Sequence, residues 1–204
     1  MNRQAHWDRI FSTKASDEVS WFQAEPAASL RLFEAAGMTA ASRVIDIGGG
    51  DSRLVDQLLD LGVHRIVVLD ISGRALARAR ARLGERQNRV TWIEADVTGA
   101  WDVGDVDIWH DRAAFHFLTD PDDRQQYVAH LRQAVTLGGA VIIATFALDG
   151  PAMCSGLPVV RYSPETLGAE LGSEFRMAES MNERHQTPSG MVQSFCYTRF
   201  TRFS

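Results

Sequence analysis

The sequence predicts an α/β fold, a doubly wound and mostly parallel seven-stranded sheet that closes with a C-terminal antiparallel hairpin. From Arg43 onward, short runs rich in Val, Ile and Leu alternate with longer helical patterns, which is typical of βαβ units. A glycine run, Gly48–Gly50, directly follows the first of these strands. Near the end of the chain, two β-like runs are joined by Gln186–Gly190, whose Pro and Gly suit a turn. The arrangement is therefore Rossmann-like.

The predicted elements follow in chain order. Residues 1–40 carry an amphipathic, aromatic-rich pattern, which predicts a helical lid segment packed on a single domain at residues 41–204. The predicted strands are Arg43–Ile47, Arg65–Ile71, Val90–Val97, Asp105–His110 and Ala140–Phe146, and those of the hairpin are Phe175–His185 and Val192–Phe200. The predicted helices are Ser52–Leu61, Gly73–Leu83 and Asp122–Val135. Another helix begins after Ser163, a good N-cap before a proline, and ends near Gly172.

Composition limits what this protein can be. The chain has 204 residues, of which 45% are hydrophobic and 23% charged, as expected for one globular domain. No apolar run reaches the roughly 18 residues that cross a bilayer, and the N-terminus lacks a secretion signal, so we expect a cytoplasmic protein with no membrane partner. The net charge of −5 argues against nucleic acid as a partner. Cys154 and Cys196 form neither a CxxC pair nor a Cys/His cluster, so no metal is expected.

A basic run is the local exception to the acidic net charge. Arg74, Arg78 and Arg82 recur at i, i+4 spacing and therefore line one face of the predicted helix. Charged runs of this kind are usually solvated helix faces, and binding of an anionic partner is the alternative. We expect this face to be exposed to solvent.

The glycine-rich turn lies where parallel sheets bind ligands, beyond the carboxyl end of the first strand. Gly48, Gly49 and Gly50 permit a tight turn and let a ligand approach backbone N–H groups without a Cβ in the way. The dinucleotide fingerprint requires glycine at its first, third and sixth positions. Counted from Gly48, the sixth position is Arg53, so the fingerprint fails. A ligand other than a dinucleotide is favoured.

Three acidic residues follow successive strands and indicate the kind of ligand. Asp46, two residues before Gly48, would repel a pyrophosphate and favours a cationic ligand. Asp70 lies 22 residues beyond Gly48, close to the roughly 20-residue offset at which an acid accepts bonds from ribose hydroxyls. Asp96, at the end of the next strand, is suitably placed for an adenine amino group. The alternative is that each acid caps a strand end or a turn.

Three motifs resemble those of a known family. The segments Asp46-Ile-Gly-Gly-Gly50, Leu69-Asp70-Ile71-Ser72 and Ala95-Asp96-Val97 look like the first three motifs of class I S-adenosylmethionine-dependent methyltransferases, and the resemblance covers nearly the whole chain. It implies that S-adenosylmethionine is the methyl donor and S-adenosylhomocysteine the product. By the same resemblance, Asp46 and the glycines would hold the methionine end, Asp70 and Ile71 the ribose side, and Asp96 with Val97 the adenine. Ser52 stands where many members have a third spaced glycine; such families tolerate serine there as a helix cap.

The methyl acceptor is expected beside the fourth strand. Methyl transfer from a sulfonium requires alignment, exclusion of water and, for some acceptors, deprotonation. His110, Asp111, Arg112 and His116 are polar groups close to aromatic residues there. We predict that Asp111 or His110 orients or deprotonates the acceptor, that Arg112 holds an anionic part of it, and that His116 lines the pocket. The alternative is that Asp111 and Arg112 form a fold-holding pair and that His116 is a half-buried structural residue.

Two further resemblances disagree about the acceptor. The segments Asp107–Leu118 and Asp122–Tyr127 are similar to thiopurine and thiol/halide methyltransferases. The opening, Trp7–Phe11 with Val19–Phe22, instead looks like that of elongation-factor lysine methyltransferases. In both families this N-terminal segment would cover the donor, so Trp21 and Phe22 are predicted lid residues. Cys154 and His185 are more readily explained as packing residues than as acceptor contacts.

The sequence therefore predicts a methyltransferase that acts on a small-molecule nucleophile, with a protein lysine acceptor as the main alternative. Two alternatives lie outside this class. A dinucleotide-dependent oxidoreductase is disfavoured by Asp46 and Arg53, and a non-catalytic module that binds an adenosyl ligand stays open. The sequence leaves the acceptor atom and the oligomeric state unassigned.

Overall fold

The computed structural model describes residues 2–204, and its elements alternate as the hydrophobic pattern predicts. The α-helices are α1 Arg3–Thr13, α2 Ala27–Ala35, α3 Leu54–Asp60, α4 Gly73–Leu83, α5 Pro121–Ala134 and α6 Pro164–Leu171. The strands are β1 Arg43–Ile47, β2 Arg65–Asp70, β3 Val90–Glu94, β4 Val106–Arg112, β5 Val135–Phe146, β6 Met153–Cys154, β7 Leu157–Pro158, β8 Phe175–Gln186 and β9 Val192–Arg202.

Seven strands form one sheet in the order β3-β2-β1-β4-β5-β9-β8. The pairs among β1 to β5 are parallel, whereas β9 pairs antiparallel with both β5 and β8. The predicted fold class, including the closing hairpin, is confirmed. The small ribbon formed by β6 and β7 was not predicted, because two-residue strands carry no periodic signal.

Helices cover both faces of the sheet, which is why the central strands are hydrophobic on both sides. On one face, α2, α3 and α4 bury residues such as Phe33, Leu58 and Leu76 against Val44, Ile108 and Ile142. On the other face, α5 and α6 bury residues such as Tyr127, Leu131 and Leu167 against Ile45, Trp109 and Ile143. Successive residues of a strand therefore face different helices, and this alternation decides which polar side chains reach the site.

The basic run on α4 is exposed at Arg74, but its C-terminal part takes part in an ion-pair network. Arg82 forms ion pairs with Asp51 and with Asp56, at 2.9 Å for the latter, and its side chain is only 15% exposed. The guanidinium of Arg78 donates to the backbone carbonyl of Lys14 at 2.7 Å. The expectation of a solvated face is therefore wrong at Arg82, because acids at the start of α3 lie within its reach. No helix within residues 2–204 is long and apolar enough to cross a membrane.

The N-terminal segment lies across the carboxyl end of the sheet and is tied to it by polar contacts. Near its start, Arg3 bonds to Asp96 at 3.3 Å, and Gln4 donates to Glu94 at 2.7 Å. In the middle of α1, Asp8 accepts a hydrogen bond from the Ser72 hydroxyl at 2.6 Å. Further contacts follow at Ser16, Ser20 and Gln23. The segment consequently forms a cover over the ends of β1, β2 and β3.

Candidate functional site

A cleft with two adjacent chambers lies beneath the N-terminal segment, at the carboxyl ends of the parallel strands. The chambers share Phe11, Trp21, Gly48 and Arg112. The larger chamber encloses about 1000 Å³ of empty space, its open mouth included. One end of it is formed by residues at the ends of β2 and β3, and the other end by residues of β5, β7 and β9. The smaller chamber lies over the glycine turn.

The glycine turn is a cradle that side chains would fill. Gly48 has φ +65° and Gly50 has φ +41°, a region that favours glycine. The N–H groups of Gly48 and Gly49 donate to the Leu69 carbonyl, at 2.8 and 3.3 Å. A Cβ at Gly49 would lie 2.5 Å from Asp46 Oδ2. The predicted glycines therefore bring the backbone against the Asp46 carboxylate and leave space above it.

Asp46 lies under this cradle in a buried chain of polar groups. Its Oδ1 is 2.7 Å from Nδ1 of His110, and Nε2 of His110 is 2.9 Å from the Ser29 hydroxyl. Asp46 and His110 are both almost completely buried, yet all three residues line the smaller chamber. Ser29, which belongs to α2, carries no motif signal in the sequence and was not predicted.

Asp70 ends β2 at the boundary with the larger chamber. It accepts a hydrogen bond from the Ser72 N–H at 2.8 Å, and the Gly50 N–H bonds to it as well. Burial raises the pKa of Asp70 to about 7, and the nearby carboxylates of Asp46 and Asp8 add to that rise. Further hydrogen-bond donors would stabilise the ionised form of a carboxyl in this environment, and the hydroxyls of a ribose are such donors.

The Asp96 side chain lies two residues beyond β3 and is better solvated. Its Oδ1 accepts hydrogen bonds from the N–H and hydroxyl of Thr98, at 2.9 and 2.7 Å, and its Oδ2 pairs with Arg3. Although partial burial acts to raise it, the pKa of Asp96 is lowered by these bonds. Ile71 and Val97 line the same end of the larger chamber and supply apolar walls. This end suits a flat base with a polar edge.

Ser52 and Phe22 line the smaller chamber, and Trp21 lines both chambers. The Ser52 hydroxyl accepts a hydrogen bond from the Leu54 N–H at 3.1 Å, in the first turn of α3. The Trp21 ring makes edge contacts with Trp7 and Phe11, at centroid distances of 5.8 and 6.1 Å. These aromatic rings form the roof of the cleft.

Asp111 does not line either chamber. It is fully buried on the opposite face of β4 from His110 and Arg112, because successive residues of a strand alternate. Its carboxylate accepts hydrogen bonds from the N–H groups of Ala114 and Phe115 and from the Tyr127 hydroxyl at 2.9 Å. Burial raises the pKa of Asp111 to about 6. This placement assigns Asp111 to the turn after β4 and corrects the expectation that it contacts an acceptor.

His116 is also buried away from the chambers. Its Nδ1 accepts a hydrogen bond from the Phe146 N–H at 3.3 Å, and its ring packs on Phe117 and Phe146. Burial, together with the charge of Arg112, lowers the pKa of His116 to about 3. The side chain is therefore a neutral packing group behind the wall, which corrects the expectation that it lines the pocket.

Arg112 is the predicted acceptor residue that lines both chambers, whereas His110 lines only the smaller one. Its Nε donates to the Tyr197 hydroxyl at 2.7 Å, and its Nη1 donates to the Trp21 carbonyl at 2.9 Å. The guanidinium carbon lies 4.5 Å from the centroid of the Phe195 ring. The fold thus fixes this cation between β9 and the N-terminal segment.

Several residues of the larger chamber were missed by the sequence analysis. Gln193 and Phe195 on β9, Phe146 on β5, and Leu157 on β7 line its end nearest Arg112. Their strands were predicted, apart from β7, but nothing in the sequence indicates which strand faces fold over the cleft. Cys154 also lines this end, whereas His185 bonds to the Ser20 carbonyl at 2.8 Å and belongs to the attachment of the N-terminal segment.

Comparison with known sequences finds similarity to methyltransferases. Residues 44–139 match the family described as "Methyltransferase domain". The "eEF1A lysine and N-terminal methyltransferase" of Mus musculus is 27% identical over 95 residues, which are 46% of this chain and 13% of that protein. The protein of that name from Danio rerio is 20% identical over 148 residues, 71% of this chain and 21% of that protein. The matched region is thus a small part of each curated relative.

Solved structures share the fold along the full chain. A SAM-dependent methyltransferase from Anabaena variabilis ATCC 29413 superposes with a TM-score of 0.79 at 15% identity, over 99% of this chain and 96% of that one. The N-methyltransferase NodS from Bradyrhizobium japonicum WM9, in complex with S-adenosyl-L-homocysteine, has a TM-score of 0.72 at 17% identity, over 96% and 97% of the two chains. At these identities the likeness establishes the fold.

Proposed function

We propose that this protein transfers a methyl group from S-adenosylmethionine to a small-molecule nucleophile, because residues 44–139 match a methyltransferase domain family and the fold is that of a solved SAM-dependent methyltransferase. The observation that carries this proposal is the cleft itself. The glycine turn and Asp46 line the smaller chamber, Asp70 and Asp96 line one end of the larger chamber, and the Arg112 guanidinium lies with aromatic side chains at the other end.

The residues present fit the donor. A Cβ at Gly49 or Gly50 would lie within 2.8 Å of a carboxylate oxygen of Asp46 or Asp70, so only glycine lets the turn and the two carboxylates come together beside the cleft. Asp46 and the glycines would hold the methionine end, Asp70 the ribose hydroxyls, and Asp96 with Val97 the adenine. When bound, S-adenosylmethionine would supply an electrophilic methyl group. The acceptor would bond to the methyl carbon and lose a proton, and the electron pair of the broken carbon–sulfur bond would stay on the sulfur of S-adenosylhomocysteine. Trp21 and Phe22 would exclude water from this reaction.

The acceptor end favours a small aromatic or anionic molecule over a cationic amine. Phe146, Phe195 and Leu157 form its walls, and the N-terminal segment covers it. Arg112 is the one charged side chain among the described residues that line this end, and the carboxylate of Glu183, which does not line it, lies 3.8 Å from its Nη2. A cationic lysine would lie against this guanidinium, which is electrostatically unfavourable. An acceptor with electron-rich or anionic character would gain from the same charge.

A protein lysine acceptor is the second candidate. It is supported by the similarity of this chain to the eEF1A lysine and N-terminal methyltransferases of mouse and zebrafish. For such an acceptor, the side chain would have to enter beneath the N-terminal segment as a neutral amine. A dinucleotide oxidoreductase is disfavoured, because the buried carboxylates of Asp46 and Asp70 would face a pyrophosphate.

Binding and transfer experiments test the proposal separately. S-adenosylhomocysteine should raise the melting temperature of the protein through mass action, and NAD or NADP should not. Tritiated S-adenosylmethionine, incubated with the protein and a whole-cell extract, should then label the small-molecule fraction of that extract. Label in the protein fraction alone would favour the lysine acceptor, and binding without any label in either fraction would favour a non-catalytic module. A larger thermal shift with NAD or NADP would overturn the proposal.

A further inference from the structure

Two buried polar atoms at the acceptor end of the larger chamber lack a hydrogen-bond partner within residues 2–204. They are Oε1 of Gln193, a residue that is only 7% exposed, and Nη2 of Arg112. Both side chains line the chamber. A buried polar atom without a partner costs about 1–3 kcal/mol, so native proteins keep few of them without a reason. A ligand that pairs with both atoms supplies such a reason.

The fold holds Arg112 rigidly while leaving Nη2 available. Nε and Nη1 are occupied by the Tyr197 hydroxyl and the Trp21 carbonyl, and the Phe195 ring packs against the guanidinium. The nearest acid, Glu183, has its Oε2 at 3.8 Å from Nη2, which is beyond hydrogen-bond distance. The remaining donor is therefore pre-oriented and lacks a direct acceptor.

Gln193 lies on the same face of β9 as the two residues that hold Arg112. Gln193, Phe195 and Tyr197 are spaced by two, so their side chains share one side of the sheet. The residue directly across from Gln193 on β8 is His185, whose Nε2 is already bonded to the Ser20 carbonyl at 2.8 Å. The Gln193 carbonyl therefore has no donor within residues 2–204, and a ligand in the chamber could supply one.

The chemistry of the two atoms specifies a complementary ligand. An arginine Nη atom only donates hydrogen bonds, and a glutamine Oε1 only accepts them. A ligand that pairs with both needs an oxygen acceptor and an N–H or O–H donor. The walls between them are flat aromatic surfaces, including Phe146 and Phe195, which favour a planar ring.

We propose that Arg112 and Gln193 select a planar heteroaromatic methyl acceptor that carries a carbonyl or oxyanion oxygen and an N–H or O–H group. This inference rests on the proposed function, because it names the acceptor class for the same cleft. Neither residue is assigned a role in proton transfer; both position the ring.

Three matched bicyclic probes test the inference with the protein saturated with S-adenosylhomocysteine. 2-Quinolone carries both groups, 1-methyl-2-quinolone lacks the N–H donor, and indole keeps an N–H donor but lacks the carbonyl. Calorimetric titration should give 2-quinolone at least tenfold tighter binding than either analogue, since each loses one hydrogen bond to a buried group. n-Butylamine, which imitates a lysine side chain, should bind most weakly.

Variants then identify the residues. Gln193→Met keeps the length of the side chain but removes the carbonyl, so 2-quinolone and 1-methyl-2-quinolone should bind it within threefold of each other. Its stability without ligand should equal or exceed that of the parent protein, because an unpaired buried carbonyl has been removed. Arg112→Lys should remove most of the preference for 2-quinolone over indole. Gln125→Met is the matched control, because Gln125 is exposed on α5.

The outcomes separate this inference from the proposed function. Failure of S-adenosylhomocysteine to bind would contradict the proposed function. If S-adenosylhomocysteine binds, three results would overturn the acceptor class alone. These are equal affinity for the three probes, no binding of any probe, and tighter binding of n-butylamine. A Gln193→Met protein that is destabilised and still prefers 2-quinolone would assign Gln193 to the structure of β9.

Discussion

His110 Nδ1 lies 2.7 Å from Asp46 Oδ1, and this buried pair joins the fourth strand to the glycine turn of the first. The other ring nitrogen of His110 is bonded to the Ser29 hydroxyl at 2.9 Å, so the ring is fixed at both ends. With both nitrogens occupied, His110 has no free position from which to take a proton from an acceptor. The geometry therefore supports a role for His110 in positioning Asp46 beneath the donor site.

We expect His110→Ala to lower the free energy of unfolding by about 3 kcal/mol, because Asp46 would stay buried without its partner. The affinity for S-adenosylhomocysteine should fall at least tenfold, as measured by calorimetric titration. The single-turnover rate with saturating donor should stay within threefold. His64→Ala, at an exposed histidine, is the control. Unchanged stability and affinity combined with a lost chemical step would make His110 a general base instead.

The affinity for S-adenosylhomocysteine should rise with pH up to about pH 7. Burial raises the pKa of Asp70 to about 7, so below that pH the free protein holds a proton on this carboxyl. Ribose hydroxyls donate to the ionised form, so binding at lower pH must release the proton, and the Kd should fall by up to about tenfold per pH unit until it levels off. Asp70→Asn should bind more weakly above pH 7 and show no such slope; a flat profile for the parent protein would contradict this prediction.

Gly49→Ala should abolish detectable donor binding. The new Cβ would lie 2.5 Å from Asp46 Oδ2 and 2.8 Å from Val68 Cγ1, so the turn and the strand below it must shift. Overpacking of this kind destabilises by about 1–3 kcal/mol. Gly168→Ala is the matched control: its Cβ would meet Phe200 at 3.4 Å within α6, where alanine is favoured over glycine. Equal behaviour of the two variants in thermal denaturation would show that the cradle is more adaptable than its geometry indicates.

Asp111→Ala should act on stability. It would leave the buried N–H groups of Ala114 and Phe115 and the Tyr127 hydroxyl without their acceptor, a loss of about 3 kcal/mol or more in urea denaturation. Tyr127→Phe should cost less, about 1–3 kcal/mol, because Asp111 keeps its two backbone donors. The loss comes mainly from the Trp109 indole, whose N–H donates to the Tyr127 hydroxyl at 2.8 Å. Donor affinity of the folded Asp111→Ala protein should be unchanged. A stable variant that has lost turnover would return Asp111 to the active site.

The N-terminal segment should become more protected when the donor site is filled. Trp21 contacts both chambers, and its carbonyl is bonded to Arg112 at 2.9 Å. Amide hydrogen exchange in residues 3–22 should therefore slow when S-adenosylhomocysteine binds, while exchange in residues 175–180, the half of β8 that is not bonded to this segment, should stay the same. Trp21→Ala should raise the Kd about tenfold through faster dissociation. Equal exchange with and without ligand would show that the segment is not a lid.

The order of strands and helices, the glycine turn and the three acids of the donor end could all be predicted from the sequence. These features are local, since hydrophobic periodicity defines each element and glycine or an acid at a strand end marks a turn in the adjacent residues. The carboxyl ends of parallel strands lie at one edge of a sheet, so even the grouping of Asp46, Asp70 and Asp96 followed from the predicted fold.

Only the tertiary structure decided which side chains form the acceptor end. His110 and Arg112 face the cleft and Asp111 faces α5, because alternate residues of β4 lie on opposite sides of the sheet and each side is covered by different helices. Gln193 reaches the chamber from β9, about eighty residues later in the chain, through antiparallel pairing of that strand with β5. Such contacts depend on how distant elements pack, and the hydrophobic periodicity of one segment does not indicate which distant segment it packs against.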